Sequence, residues 1–267
     1  MSRVVHSDVV WERIRLLWTR RELVISLTRR DLQTRYKGSV VGIVWSVLHP
    51  LLLAGIYTVA VRFVLRIQIP NYAIFVLSGL LPWMFFTSSL TIASLSIVNQ
   101  GQLVKKIAFP REALPIAAVS GQLVHFTIAY LVVVPAMAWL QIGVSPALLA
   151  LPVLMLLLAV FTGGLALLIA AAQVYFRDTR HLLDVLLQLL FWVTPIIYSM
   201  ELVPERFRSL FDLNPLVPFL RAFRTVVLGF QLPSGADASL LATMAVLVMS
   251  IGYAGFQRAQ RRFAEFV

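Results

Sequence analysis

No cysteine occurs in the 267 residues, which excludes thiol catalysis, disulfides and thiolate metal sites. Charge is scarce as well: Asp, Glu, Lys and Arg make up 13% of the chain, about half their share in soluble domains. No GxxxxGK[ST] loop is present, so a phosphate cradle of that kind cannot be built. Any ATP that drives this chain is bound by another polypeptide. Clustered carboxylates of the sort that hold Mg²⁺ for membrane transferases are missing too. The nearest approach is Asp178 and Asp184, each close to an arginine, Arg177 or Arg180, so that salt bridges and headgroup contacts are expected in place of a metal. The first 37 residues carry nine Arg or Lys and no uninterrupted apolar stretch, which predicts no cleavable signal peptide.

What is abundant is apolar surface. Hydrophobic residues reach 60%, and the mean hydropathy is +0.86. A water-soluble fold cannot hide that much, so an all-α integral membrane protein is predicted. The 23 Lys and Arg against 12 Asp and Glu flank the apolar runs, as lipid headgroups and topology require. A nucleic-acid partner would need a basic face on a soluble module, and none is expected.

About 20 apolar residues cross the roughly 30 Å hydrocarbon slab. Runs free of charge therefore predict six spans at about 38–61, 72–98, 113–140, 147–174, 182–200 and 239–256, behind an arm at 1–37 and ahead of a tail at 258–267. With the N-terminus inside, the inner segments carry nine, three, two and three Lys or Arg, and the outer ones two and four. Seventeen against six places both termini in the cytoplasm by the positive-inside rule.

Three segments outside the spans have helical periodicity. In the arm, Val10, Trp11, Ile14, Leu17 and Trp18 share one face, opposite Glu12, Arg13, Arg15 and Arg20, which suits a helix lying at the headgroups. Between spans five and six, Pro204 opens a piece with Phe207, Leu210 and Phe211 on one side. Asn214 and Pro215 open another, with Phe219, Phe223 and Val227 on one side and Arg221, Arg224 and Thr225 on the other. Both are predicted to dip into the outer leaflet. His49 and His125 fall inside spans, where a neutral imidazole bonded to a neighbouring helix accounts for each. No acidic residue sits at mid-span, which disfavours proton antiport. Gly38 and Gly42, and Gly163, Ala166 and Ala170, have close-packing spacing, and Pro50 and Pro195 interrupt spans one and five.

Ordered motifs then run along nearly the whole chain: Arg30-Asp31-Leu32-Gln33-Thr34-Arg35-Tyr36-Lys37-Gly38-Ser39, Gly42-Ile43-Val44-Trp45-Ser46, Ser78-Gly79-Leu80-Leu81-Pro82-Trp83, Lys105-Lys106-Ile107-Ala108-Phe109-Pro110-Arg111-Glu112, Phe176-Arg177-Asp178, Thr194-Pro195-Ile196-Ile197-Tyr198-Ser199, Asn214-Pro215 and Phe223-Arg224. Together they resemble the membrane (permease) subunit of type-2 ABC exporters for cell-surface polysaccharides, the O-antigen, capsule and teichoic-acid family. The resemblance implies a homodimer in the bacterial inner membrane, resting on a separate ABC ATPase subunit that binds ATP and Mg²⁺. It implies a lipid-linked polysaccharide as cargo, and no enzyme activity or cofactor in this chain.

It also implies roles. Residues 102–114 match the segment that transmits ATPase closure, with Lys105, Lys106, Phe109, Pro110, Arg111 and Glu112 as its candidates. Trp45, Tyr57, Phe191, Trp192 and Tyr198 are candidates for an aromatic pathway between spans one and five. Phe207, Phe211, Phe219 and Phe223 match the position of an extracellular gate. Trp11, Trp18, Tyr36, Arg177 and Asp178 are expected at the cytoplasmic interface. Two alternatives stay open: an exporter of a drug, lipid or oligosaccharide, and a polytopic membrane transferase using Asp178 and Asp184.

Overall fold

A computed structural model describes residues 21–37, 42–64, 66–102 and 110–266. The arm tryptophans Trp11 and Trp18, Gly38, and the coupling candidates Lys105, Lys106 and Phe109 lie outside the described residues, as does the side chain of Tyr36. Among the described residues every regular element is helical. Apolar runs of 20 residues and more leave no alternative, because in hydrocarbon each backbone N–H and C=O must find its partner within the segment.

Helix α1 (Arg21–Tyr36) buries Leu27, and the Thr28 hydroxyl donates to the Ala117 carbonyl at 3.3 Å. It thus seats on the first turns of α4 (Ala113–Trp139). Five helical stretches are long and apolar enough to cross a membrane: Trp45–Val64, Tyr72–Leu95, Ala113–Trp139, Pro146–Tyr175 and Gly235–Arg262. The first is α2 (Trp45–Val59) with a π turn, Ala60–Val64, that carries Arg62 and then gives way to Arg66 at φ 56°. The second, α3 (Tyr72–Leu95), is the axis of the bundle, buried continuously from Ile74 to Trp83. After α4, Ser145 caps a 3₁₀ turn (Pro146–Ala150) by accepting from the Ala147 N–H, and α5 (Leu151–Tyr175) follows.

The predicted fifth span at 182–200 is shorter than its hydropathy. Helix α6 (Thr179–Val193) has 15 residues, about 22 Å at 1.5 Å per residue, against roughly 30 Å of hydrocarbon. Thr194 is extended, at φ −106° and ψ 125°, because Pro195 bars the helical region to the residue before it and brings no N–H of its own. A hydropathy count cannot see that stop. Chain 194–199 continues as turns.

Two short helices come next. α7 (Glu205–Asp212) is exposed and amphipathic. α8 (Leu216–Val227) packs into the bundle. Its apolar face, including Phe219, Phe223, Val226 and Val227, is fully buried inside the bundle. There Phe223 meets Phe126 and Tyr130, and Phe219 meets Phe161, so the rings that would have met lipid meet protein. Ser234 then caps α9 (Gly235–Ala259), its hydroxyl accepting from the Asp237 N–H at 3.1 Å. A second, smaller core of Leu27, Ile97, Leu114, Leu167, Phe256 and Phe263 gathers α1, α4, α5 and the C-terminal turns at the end of the bundle that holds the C-terminus.

Candidate functional site

At the end of the bundle opposite the C-terminus, four of the motifs that lie far apart in the chain converge. The turn after α6 is the centre. Thr194 Oγ1 donates to the Leu190 carbonyl at 2.6 Å and accepts from Asn214 Nδ2 at 2.8 Å. Asn214 Oδ1 in turn accepts the Leu216 N–H at 3.0 Å, so one side chain both opens α8 and ties it to the end of α6. Arg224 Nη2 donates to the Ile196 carbonyl at 2.8 Å, and Tyr72 Oη donates to the Ile197 carbonyl at 2.7 Å. Carbonyls that Pro195 leaves outside any helix are thereby satisfied from α3 and α8.

Arg224, on the face of α8 opposite Phe219 and Phe223, reaches inward to α3 and the turn after α6. Its guanidinium carbon lies 3.9 Å from the centre of the Phe75 ring, a cation–π contact. Gly79 makes room for it: a Cβ there would stand 3.2 Å from Arg224 Nη2 and 3.3 Å from the Ile196 oxygen. α8 lies outside the five spanning helices, and burial lowers the Arg224 guanidinium to about 10, with Tyr72 and Tyr198 drawing it partly back. The group stays charged at neutral pH.

The aromatic pathway candidates separate into two groups. Tyr57 and Phe191 stack at 6.4 Å between α2 and α6, and Phe191 meets Trp192 edge-on at 5.5 Å. Tyr198 donates to the Trp192 carbonyl and faces Phe211 at 6.4 Å. Trp83, which sequence reasoning did not select as a pathway residue, joins this surface edge-on to Phe191 at 5.6 Å. Its place in the Ser78–Trp83 motif was the available signal. Trp45 stands apart, at the other end of α2. Of the gate candidates, Phe207 is exposed beneath Arg206 and Phe211 faces Tyr198, whereas Phe219 and Phe223 belong to the core.

At the C-terminal end, the described residues Arg111 and Glu112 of the segment 102–114 turn inward. Arg111 Nη1 donates to the Gln260 carbonyl at 2.7 Å. Glu112 is buried and accepts from Gln257 Nε2 at 3.2 Å, and Gln260 Nε2 donates to Gln257. Tyr175 reaches the Ala259 carbonyl. The segment after α3 is therefore braced on the last turn of α9. Arg177 and Asp178 are exposed at the start of α6, Arg180 holds both Asp184 oxygens at 3.0–3.2 Å, and its Nη1 donates to Thr91 O at 3.1 Å. Among the described residues no group of three His, Asp or Glu side chains is placed to hold a metal.

Arg111→Ala is expected to loosen this brace by about 1 kcal/mol, the worth of one partly exposed hydrogen bond, or roughly fivefold in the opening equilibrium. Hydrogen exchange across residues 257–263 measures it. Unchanged protection there would show that Arg111 braces nothing.

The family model described as "ABC-2 type transporter" matches residues 22–228. The O-antigen export system permease protein RfbA of Klebsiella pneumoniae is 32% identical over 255 residues, covering 92% of this chain and 95% of that protein. Its namesake from Myxococcus xanthus is 33% identical over 257 residues, covering 95% and 98%. The polysialic acid transport protein KpsM of Escherichia coli is 24% identical over 241 residues, covering 86% and 91%. The matched region runs from the helix seated on α4, through every motif that meets at the Thr194–Pro195 turn, to the end of α8, and on that basis the chain belongs to the ABC-2 type transporter family.

Proposed function

We propose that the chain is the membrane half of an ATP-driven exporter that moves a lipid-linked polysaccharide across the bacterial inner membrane. It works as a homodimer seated on a separate ATPase, with both termini in the cytoplasm. The observation that carries this reading is the similarity, over more than nine-tenths of the chain, to two O-antigen export permeases. The sequence has no phosphate loop, which supports a separate ATPase subunit that binds ATP and its Mg²⁺.

The chain's own groups suit the task. Aromatic faces at Tyr57, Phe191, Trp192 and Tyr198 offer sugar C–H surfaces a contact that demands no single hydrogen-bond pattern, so a repeating polymer slides without arrest. In sequence the segment 102–114 joins α3 to α4, and its described residues Arg111 and Glu112 bond to the end of α9, which supports a coupling role. Lys105, Lys106 and Phe109 would meet the ATPase.

Because the chain has no cysteine, a single introduced thiol is unique. Phe109→Cys is expected to crosslink to a cysteine placed in the ATPase groove, and the crosslinked complex should lose ATP-dependent export of labelled lipid-linked glycan into inverted vesicles. Cells deprived of the chain should retain their glycan inside. Glycan reaching the surface at the normal rate without this chain would overturn the proposal.

A further inference from the structure

Near the start of α2, a cavity of about 320 Å³ opens between α2, α3 and α4. Its size falls at the lower end of small-molecule pockets, about 300–1,000 Å³. Each of the three helices contributes one ring and at least one polar group to the lining: Trp45, Ser46 and His49 from α2, Phe85 and Ser88 from α3, and Phe126, Gln122 and His125 from α4. Gln122 is only 8% exposed, and its amide has no hydrogen-bond partner among the described residues. An amide that opens onto a cavity inside a transmembrane bundle is completed there by a ligand or water. Ser88 and His49 likewise face the cavity with no partner among the described residues. Among the described residues the lining includes no Arg, Lys, Asp or Glu.

We propose that this cavity binds a single uncharged sugar ring. The ligand must offer hydroxyls to an amide, a hydroxyl and an imidazole, and C–H faces to three aromatic rings, without a charge to balance. A phosphate would ask for a guanidinium, an ammonium or a helix N-terminus, and a bare acyl chain would leave the Gln122 amide unmet. The inference rests on the glycan cargo of the proposed function. It adds a sugar subsite near the start of α2, at the other end of that helix from the Tyr57–Phe191 surface, at which a glycan unit pauses before the polymer moves.

The test uses the whole transporter with its ATPase in lipid nanodiscs and three diazirine probes of equal chain length: an octyl glucoside, an octyl phosphate and a plain alkane. Mass spectrometry maps the labelled peptides. The glucoside should label peptides of α2, α3 and α4 around the cavity at least about fivefold above the alkane, and Gln122→Leu should remove most of that excess, as the loss of one good hydrogen bond predicts. Ser88→Ala, a smaller change, should reduce it in the same direction, which guards against misfolding of the first variant. Equal labelling by glucoside and alkane, or stronger labelling by the phosphate, would overturn the site. Surface glycan in cells lacking the chain is scored separately. Normal export there sinks the exporter reading, whereas lost export without selective labelling sinks the subsite alone.

Discussion

Gly252→Leu is expected to cost the protein about 3 kcal/mol or more of stability and most of its yield as folded material. At the crossing of α5 and α9, a Cβ on Gly252 would lie 2.0 Å from the Gly164 carbonyl oxygen, and one on Gly164 would lie 2.4 Å from that of Val248. Both obstacles are backbone, which cannot rotate aside as a side chain can, so the two helices must separate. Overpacking ordinarily costs about 1–3 kcal/mol, and backbone contacts on both sides put this site at the upper end. Between membrane helices the loss is sharper, because close van der Waals contact, not expulsion of water, holds them together. Survival of the monodisperse protein after heating in detergent measures the effect. Gly55→Leu on α2 is the control, since nothing lies within 4 Å of a Cβ there. Equal survival of the two variants would show that α5 and α9 do not meet glycine to glycine.

Arg224→Leu is expected to reduce export more than tenfold while the protein still reaches the membrane. The substitution removes the donor to the Ile196 carbonyl and the cation above Phe75, and leaves that carbonyl without its partner. A charge-assisted hydrogen bond contributes about 1.5–3 kcal/mol and a desolvated cation–π contact about 2. Part of this is offset, because leucine spares the desolvation of a buried charge. The remaining loss falls on one turn, so the connection between α6 and α7 loosens while the bundle stands. Arg224→Lys should be intermediate, since an ammonium is a point charge without the fork that reaches carbonyl and ring together. Surface glycan per unit of membrane-inserted protein is the readout, and wild-type export from Arg224→Leu would refute a positioning role for the clamp.

Hydropathy located most of the spanning helices closely. Predicted spans at 72–98, 113–140, 147–174 and 239–256 meet helices Tyr72–Leu95, Ala113–Trp139, Pro146–Tyr175 and Gly235–Arg262. They agree because the absence of charge over 20 residues is a local property. Where one neighbour overrides the average, the structure adds what hydropathy does not show. Span five stops at Val193 because of Pro195, and α8 enters the bundle although its amphipathic pattern is equally that of a surface helix. The Arg180–Asp184 pair was legible from spacing i,i+4 and a shortage of other partners. The inward turn of Arg111 and Glu112 was not, since their partners lie about 145 residues further on.

The membrane, the helices and the distribution of basic residues all follow from which residues are present and which are missing, since each is a sum over a short window. Which way Arg224 points, that Trp83 joins Tyr57 and Phe191 while Trp45 does not, and that Gln122 faces the cavity between α2, α3 and α4 were decided only when the helices packed. A periodic pattern defines a face, but it holds no information about what that face meets. Burial, carbonyl capture and glycine contact are properties of pairs far apart in the chain, and only the assembled bundle brings those pairs within reach.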